Sequence, residues 1–293
     1  MIWYNNQNNE EGKMIMAVDI QWYPGHMAKA TRLIREDLKS VDLILLLCDA
    51  RAVQSSRNED FEKIIAQKKK IFVFNKSDLA DEKVTKEWLT YFKEKQETVF
   101  FIDCLNKQGI GPLVSYLKNY KQTFRTNREV RVMIAGIPNV GKSMLINTLA
   151  RRNGMKTGNR PGVTMNKQWI KVTGDFYLLD TPGVLPPKFD NQQQGSIAAL
   201  IGSVKDTVFN KEDMALYLLE FLQVYYPQLI KERYKIAALG QTPLEIYEQI
   251  ADSRGFKTKG GLFDYERTAV MLLDEFKNGK IGRVSFDRSE ELD

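Results

Sequence analysis

Between residues 43 and 183 the chain alternates short, wholly apolar runs with stretches in which apolar residues recur every three or four positions. The runs "LILLLCDA" (43–50), "IFVFNKSD" (71–78), "TVFFIDC" (98–104), "VRVMIAG" (130–136) and "FYLLDTPG" (176–183) read as strands covered on both faces, because they lack the apolar/polar alternation of a half-exposed sheet. The segments at about 57–67, 84–95, 110–122 and 142–151 read as helices. Strand then helix, repeated, predicts an α/β fold: a mostly parallel sheet with helices on both faces. After about residue 205 the strand pattern stops. "MALYLLEFLQVYY" (214–226), "PLEIYEQIADSRG" (243–255) and "YERTAVMLLDEFKNGK" (265–280) have helical character. In the last, Tyr265, Ala269, Leu272 and Phe276 share one face. The expected organisation is a lead-in at 1–17, an α/β domain at 18–204 and a small all-α domain at 205–293.

Composition changes this picture little. With 293 residues, 43% hydrophobic and 27% charged, the chain can bury two cores of unequal size. The net charge of +6 is uneven: residues 205–293 hold thirteen Lys and Arg against sixteen Asp and Glu, so the front carries +9. A basic front weakly favours a polyanionic partner. Cys48 and Cys104 lie in apolar runs, which fits buried thiols in a reducing compartment. No apolar stretch approaches the roughly 20 residues of a membrane-spanning helix. Residues 1–17 carry no basic n-region followed by an apolar stretch, so they do not read as a signal peptide, and their Asn, Gln and Glu content predicts disorder. A cytoplasmic protein is expected.

Chemistry enters with "GIPNVGKS" (136–143), which follows a strand and opens a helix, the context a P-loop requires. Gly136 and Gly141 let the backbone N–H groups wrap phosphates, Lys142 supplies charge to the β and γ oxygens, and Ser143 offers a hydroxyl to Mg²⁺. Asp180 ends a strand where it can hold the Mg²⁺ shell, and Gly183 of "DTPG" can offer its N–H to the γ-phosphate. Thr164 in "RPGVT" is placed to reach the metal. Val140 and Met144 join the candidate nucleotide contacts. In Asn75-Lys76-Ser77-Asp78, Asp78 can accept from the N1 and N2 edge of guanine, which adenine lacks, and Asn75 can bond the base at N7. GTP and GDP are therefore the expected ligands, with Mg²⁺.

The order of these parts is unusual, because the base-reading loop precedes the phosphate loop and both precede Thr164 and Asp180–Gly183. That is a circular permutation of a P-loop GTPase domain, with "YKQTFRTNREV" (120–130) joining the former ends. "WYPGHMAKA" (22–30), "DARAVQSSRN" (49–58), "NKSD", "GIPNVGKS", "GNRPGVT" (158–164), "DTPGVLPPK" (180–188), "RGFKTKGG" (254–261) and "GKIGR" (279–283) appear in that order. In these residues the chain resembles the circularly permuted GTPases of ribosome assembly, over about residues 20–288. The resemblance implies a GTPase acting in late maturation of the large ribosomal subunit. It also implies hydrolysis stimulated by the particle, with the subunit precursor and its rRNA as partners. One departure is Asp103-Cys104 where the family usually carries Ser-Ala near the guanine O6; the small residue is retained, so both remain candidate base contacts.

Val184 stands where Ras-type GTPases place a water-orienting Gln, so intrinsic turnover is expected to be slow. Asn139 resembles the asparagine with which related GTPases hold K⁺ against the phosphates; its alternative is a generic turn residue. His26, the sole histidine, is a candidate water-orienting group delivered when a partner orders its segment, or else a helix-start residue packed on Trp22 or Tyr23. Lys142, Thr164 and Gly183 complete the candidate catalytic set. RNA contact is expected from Arg254, Lys257 and Lys259, with Phe256 stacking a base, and from Lys29 and Arg32. The rivals are a GTPase coupled to RNA modification or small-subunit assembly, and a membrane or signalling switch. The former would want a catalytic Cys or cofactor site, the latter a lipidated or amphipathic terminus. A monomer is expected.

Overall fold

A computed structural model of the chain describes residues 18, 20, 32–124, 128–151, 169–173, 176–186, 189 and 191–292. Its residues fall into two compact units, one running to Lys188 with Ser285–Asp293, the other holding Phe189–Val284 and the N-terminal residues Val18 and Ile20.

The first unit is built on a six-stranded sheet. β1 (Leu43–Asp49) is buried at every position, as its unbroken apolar run requires. β2 (Lys69–Asn75), β3 (Val99–Phe101), β4 (Val130–Ala135), β5 (Trp169–Thr173) and β6 (Phe176–Asp180) complete the order β3-β2-β1-β4-β6-β5. All neighbours are parallel except β5, which pairs antiparallel to β6 at the edge. The sequence pattern did not reveal β5, because five residues, with Lys171 exposed among them, are too few to establish a period.

Between these strands lie α1 (Glu59–Ile64), α2 (Glu82–Glu94), α3 (Ile110–Gln122) and α4 (Lys142–Arg151). Each start has a local cause. Asp81 caps α2 by accepting from the backbone N–H groups of Lys83 and Val84, and Val84, Trp88 and Phe92, spaced by four, form its buried face. α3 follows Gly109 at φ +71°, where a Cβ would run into the Phe101 carbonyl. Phe74 packs at 5.5 Å from Phe92 and 4.9 Å from Phe101, ring centre to ring centre, with Trp88 stacked on Phe92. Each such ring contributes roughly 1.5–3 kcal/mol by leaving water.

The last residues of the chain also belong to this unit. The Phe286 N–H donates to the Arg51 carbonyl (2.7 Å), the Asp81 N–H to Ser285 Oγ (3.1 Å) and Trp88 Nε1 to the Asp287 carbonyl (3.2 Å). The buried Asp287 carboxylate accepts from the Gln54 N–H (2.7 Å), the Ser55 N–H (2.7 Å) and Ser55 Oγ (2.6 Å). Burial pushes its pKa up against the pull of these donors.

The second unit is helical: α5 (Gln192–Leu200), α6 (Lys211–Tyr225), α7 (Pro227–Tyr234), α8 (Pro243–Ser253) and α9 (Tyr265–Lys277). Thr242 and Glu245 form a reciprocal capping box at the start of α8. Ala269, Leu272 and Phe276 of α9 are buried, each at most 3% exposed. Glu275 of α9 takes both arms of the Arg233 guanidinium and accepts from Tyr234 Oη at 2.9 Å, tying α9 to α7. The unit edges differ from those expected. The division falls at 188/189 rather than 204/205, because α5 packs with the helices. Residues 285–293, expected in the helical domain, group with the sheet unit instead, to which Ser285, Phe286 and Asp287 are hydrogen-bonded.

Candidate functional site

At the carboxyl ends of β1, β2, β4 and β6, four short segments converge. β4 ends in Ala135, and the chain turns through Gly136 (φ +154°), Asn139 (φ +60°) and Gly141 (φ +102°) before α4 begins at Lys142. Glycine is required at two of these positions for lack of space. A Cβ on Gly136 would overlap the Leu47 carbonyl, and one on Gly141 would overlap the Asn75 amide.

Asn75 is the joint of the site. Its Nδ2 donates to the Val140 carbonyl of the phosphate loop (2.8 Å), and its Oδ1 accepts from the Cys104 N–H (3.1 Å). Only 2% exposed, the side chain thus bridges two loops. The motif alone did not reveal this bridging role. Beside it Lys76, at φ +62°, reaches back to Asp49 Oδ2 at 2.9 Å. That carboxylate also holds Arg51 through Nε (3.0 Å) and Nη2 (2.9 Å). Burial would raise the Asp49 carboxyl, but Arg51 and Lys76 overcome it and hold it well below the usual carboxylate range. Asp78 lies on the same loop, half-buried.

Asp103 and Cys104 come next to Asn75 in space. Asp103 is fully buried and caps its own loop, accepting from the N–H groups of Leu105 (2.8 Å) and Asn106 (3.0 Å) and from Asn106 Nδ2 (2.6 Å). Its carboxylate is therefore occupied in shaping the loop, and what the segment offers outward is backbone. Burial pushes the Cys104 thiol up to about 12, so it stays protonated at neutral pH.

The phosphate end is equally closed. Lys142 Nζ donates to the carbonyls of Gly136 (3.2 Å) and Ile137 (2.8 Å). Burial lowers its pKa to about 8 against the pull of Asp180. Ser143 Oγ donates to Asp180 Oδ2 at 3.1 Å, and burial raises the Asp180 carboxyl. A hydroxyl and a carboxylate meeting at a helix start form the oxygen donor set that a hard cation such as Mg²⁺ takes. Met144 is 46% exposed at the opening of α4. Gly183 lies so close to the phosphate loop that a Cβ on it would stand 2.7 Å from Cα and N of Pro138. Val184 donates its N–H to the Gly136 carbonyl (3.2 Å), and its side chain is buried.

Asn75, Lys76, Asp78, Asp103, Cys104, Gly136 to Ser143, Asp180 and Gly183 thus gather around one end of the sheet. His26, Lys29 and Thr164 lie outside the described residues. Arg32 is exposed, 3.6 Å from Glu36. On the helical unit, Arg254 lies over the Tyr234 ring and 3.7 Å from Glu275, and Lys257 pairs with Asp252 at 2.8 Å. Lys259 is exposed beside Gly260 and Gly261. One face of the Phe256 ring, expected to stack a base, is taken by the Arg267 guanidinium at 4.1 Å.

Sequence reasoning missed the functions of Asp49, Arg51 and Asn58 within "DARAVQSSRN". For Asn58 a local signal existed, an Asn followed by Glu59 and Asp60, which is how a helix start is written.

Comparison with known proteins agrees with this geometry. Residues 131–247 match the family described as 50S ribosome-binding GTPase. Ribosome biogenesis GTPase A of Bacillus cereus is 43% identical over 281 residues, covering 93% of this chain and 95% of that protein. The protein of the same name from Thermotoga maritima is 33% identical across 93% of this chain and 96% of its own. Among solved structures, GNP-bound YlqF from T. maritima superposes with a TM-score of 0.62 at 29% identity, over 89% of this chain and 98% of that one. The strand order, the permuted motif order and these relatives lead to one assignment: the chain belongs to the circularly permuted GTPases of the ribosome biogenesis GTPase A family.

Proposed function

We propose that this GTPase binds a precursor of the large ribosomal subunit in its GTP state, late in maturation, and leaves after hydrolysis. The observation that carries the reading is the closure of base loop, phosphate loop and second switch on one another through Asn75 and Gly183. Family membership adds the ribosomal setting. In this reading Asp78 reads the guanine edge, and the backbone at Cys104 approaches the base. Lys142 leaves its two carbonyl partners for the phosphate oxygens. Ser143, Asp180 and Thr164 would hold Mg²⁺, which when bound neutralises charge on the β and γ oxygens.

Hydrolysis needs help, since Val184 has no group to orient water. Asn139 is the residue for a K⁺ ion, and equal rates in K⁺ and Na⁺ would return it to a turn role. His26 is the water-orienting group of the particle-bound state. His26→Ala should spare the slow intrinsic rate and lower the stimulated one by 10²- to 10⁴-fold; full stimulation of that variant would remove His26 from catalysis. The helical unit supplies RNA contact through Arg254, Lys257 and Lys259, and Arg32 with Lys29 supplies a second basic face. The protein acts as a monomer in the cytoplasm.

Sedimentation with separated ribosomal subunits, with GDP and with a non-hydrolysable GTP analogue, tests the core of the proposal. Co-sedimentation with the large subunit or its precursor, stronger with the analogue, is expected. Binding to the small subunit alone, or equal binding with both nucleotides, would overturn it.

A further inference from the structure

The second switch is held at its start by its own Thr181, whose Oγ1 donates to the Ile134 carbonyl at 2.8 Å, but beyond Gly183 its holder comes from another loop. After Gly183 come Val184 and Leu185, both buried and apolar, so neither of these two side chains can fix the main chain by a polar bond. The main chain is fixed from outside. The Val184 N–H donates to the Gly136 carbonyl at 3.2 Å, and the Val184 carbonyl accepts from Asn58 Nδ2 at 3.1 Å. The other end of the same amide is also used, because Asn58 Oδ1 accepts from the Phe61 N–H at 3.0 Å and caps α1. An Asn at a helix cap usually turns its amide N–H₂ to water. This one is 9% exposed and points it at a residue 126 positions away.

Asn58 can act as a holder only if it is itself held, and the 49–58 loop is anchored along its length. Asp49 binds Arg51 through both carboxylate oxygens, and its N–H donates to Ser56 Oγ at 3.0 Å. Arg57 forms a two-bond pair with Glu62, at 2.8 and 3.0 Å, which Lys70 joins at 2.9 Å. Asp287 fixes Gln54 and Ser55 from the end of the chain.

We propose that Asn58 is a positioning residue for GTP: by clamping the Val184 carbonyl it keeps Gly183 against the phosphate loop, where its N–H meets the third phosphate. The inference rests on the assignment of Gly183 to that phosphate. GDP makes no use of Gly183, so the clamp favours the triphosphate over the diphosphate and contributes nothing to binding of the base.

Two substitutions separate the clamp from the cap. Asn58→Asp still accepts from the Phe61 N–H but presents an oxygen to the Val184 carbonyl, and Asn58→Ser caps the helix yet is too short to reach that carbonyl. Affinities for GDP and for a non-hydrolysable GTP analogue, measured on the full chain with melting temperature as a check on the fold, give the readout. One lost hydrogen bond corresponds to about a three- to tenfold weaker binding of the analogue, expected in both variants with GDP affinity unchanged. Should Asn58→Asp fail to fold, Asn58→Ser alone decides. Equal losses for both nucleotides, no loss, or a gain for the analogue would overturn the proposal. Gly183→Ala distinguishes the two layers. A selective loss there without one at Asn58 removes the clamp and leaves Gly183 in place, whereas no selective loss at Gly183 removes the assignment and the clamp with it.

Discussion

At the scale of single residues, the base-reading loop divides its work. Asn75 is committed to Val140 and Cys104 and Lys76 is drawn to Asp49, while in the proposed function Asp78 is the group that selects the base. Asp78→Asn should therefore weaken GTP binding by a factor on the order of 10⁴ in a favourable case and turn preference to xanthosine triphosphate, since an amide donates where the carboxylate accepted. A nucleotide titration reads this directly, and unchanged GTP affinity would take the loop out of the site. Residues of this kind were legible in the sequence because each follows a buried strand within a short motif, so local chemistry and local structure agree. Asn58 and Asp287 were not legible as partners of the site. Their acceptors and donors lie 126 and 233 positions away, and no local pattern encodes such a pairing.

At the scale of elements, the strands and the phosphate-loop helix came out where the hydrophobic pattern put them, while β5, α5 and α7 did not. β5 is a short edge strand with one polar side, and α5 is buried along most of its length, so neither shows a clear period. α7 was hidden because Pro227 opens it directly after α6 and the pattern reads as one broken helix. Its connection to α9 is electrostatic. Burial would raise the Glu275 carboxyl, but hydrogen bonds from Arg233 and Tyr234 and the charges of Arg233 and Arg254 together lower its pKa in the folded chain. A carboxylate whose folded value lies below its unfolded one contributes stability above about pH 4.5 and loses it as pH falls through the lower, folded value. Thermal unfolding between pH 6 and pH 3 should thus weaken less steeply in Glu275→Gln than in the parent chain. Parallel pH profiles would show that the cluster is not a source of acid sensitivity.

At the scale of the whole molecule, two units share one chain, and in the proposed function the basic loop after α8 is the part of the helical unit that meets RNA. Each phosphate neutralised contributes a slope of roughly −0.7 to −0.9 in log K against log salt. Replacing Arg254, Lys257 and Lys259 by Ala should flatten the salt dependence of particle binding by about one to three such increments and leave nucleotide affinity unchanged. An unaltered slope would move the RNA surface elsewhere. Lys259, exposed at the loop tip, should account for more of the change than Arg254, which already packs on Tyr234 near Glu275. The closing of the chain end on the 49–58 loop has a consequence in time. Asp287 follows Gln54 by 233 residues, so the N–H groups of Gln54 and Ser55 meet their carboxylate long after a ribosome making this protein has released the 49–58 loop. A nascent chain can therefore complete its sheet, whose last strand ends at Asp180, before the loop that carries Asn58 gains its Asp287 anchor.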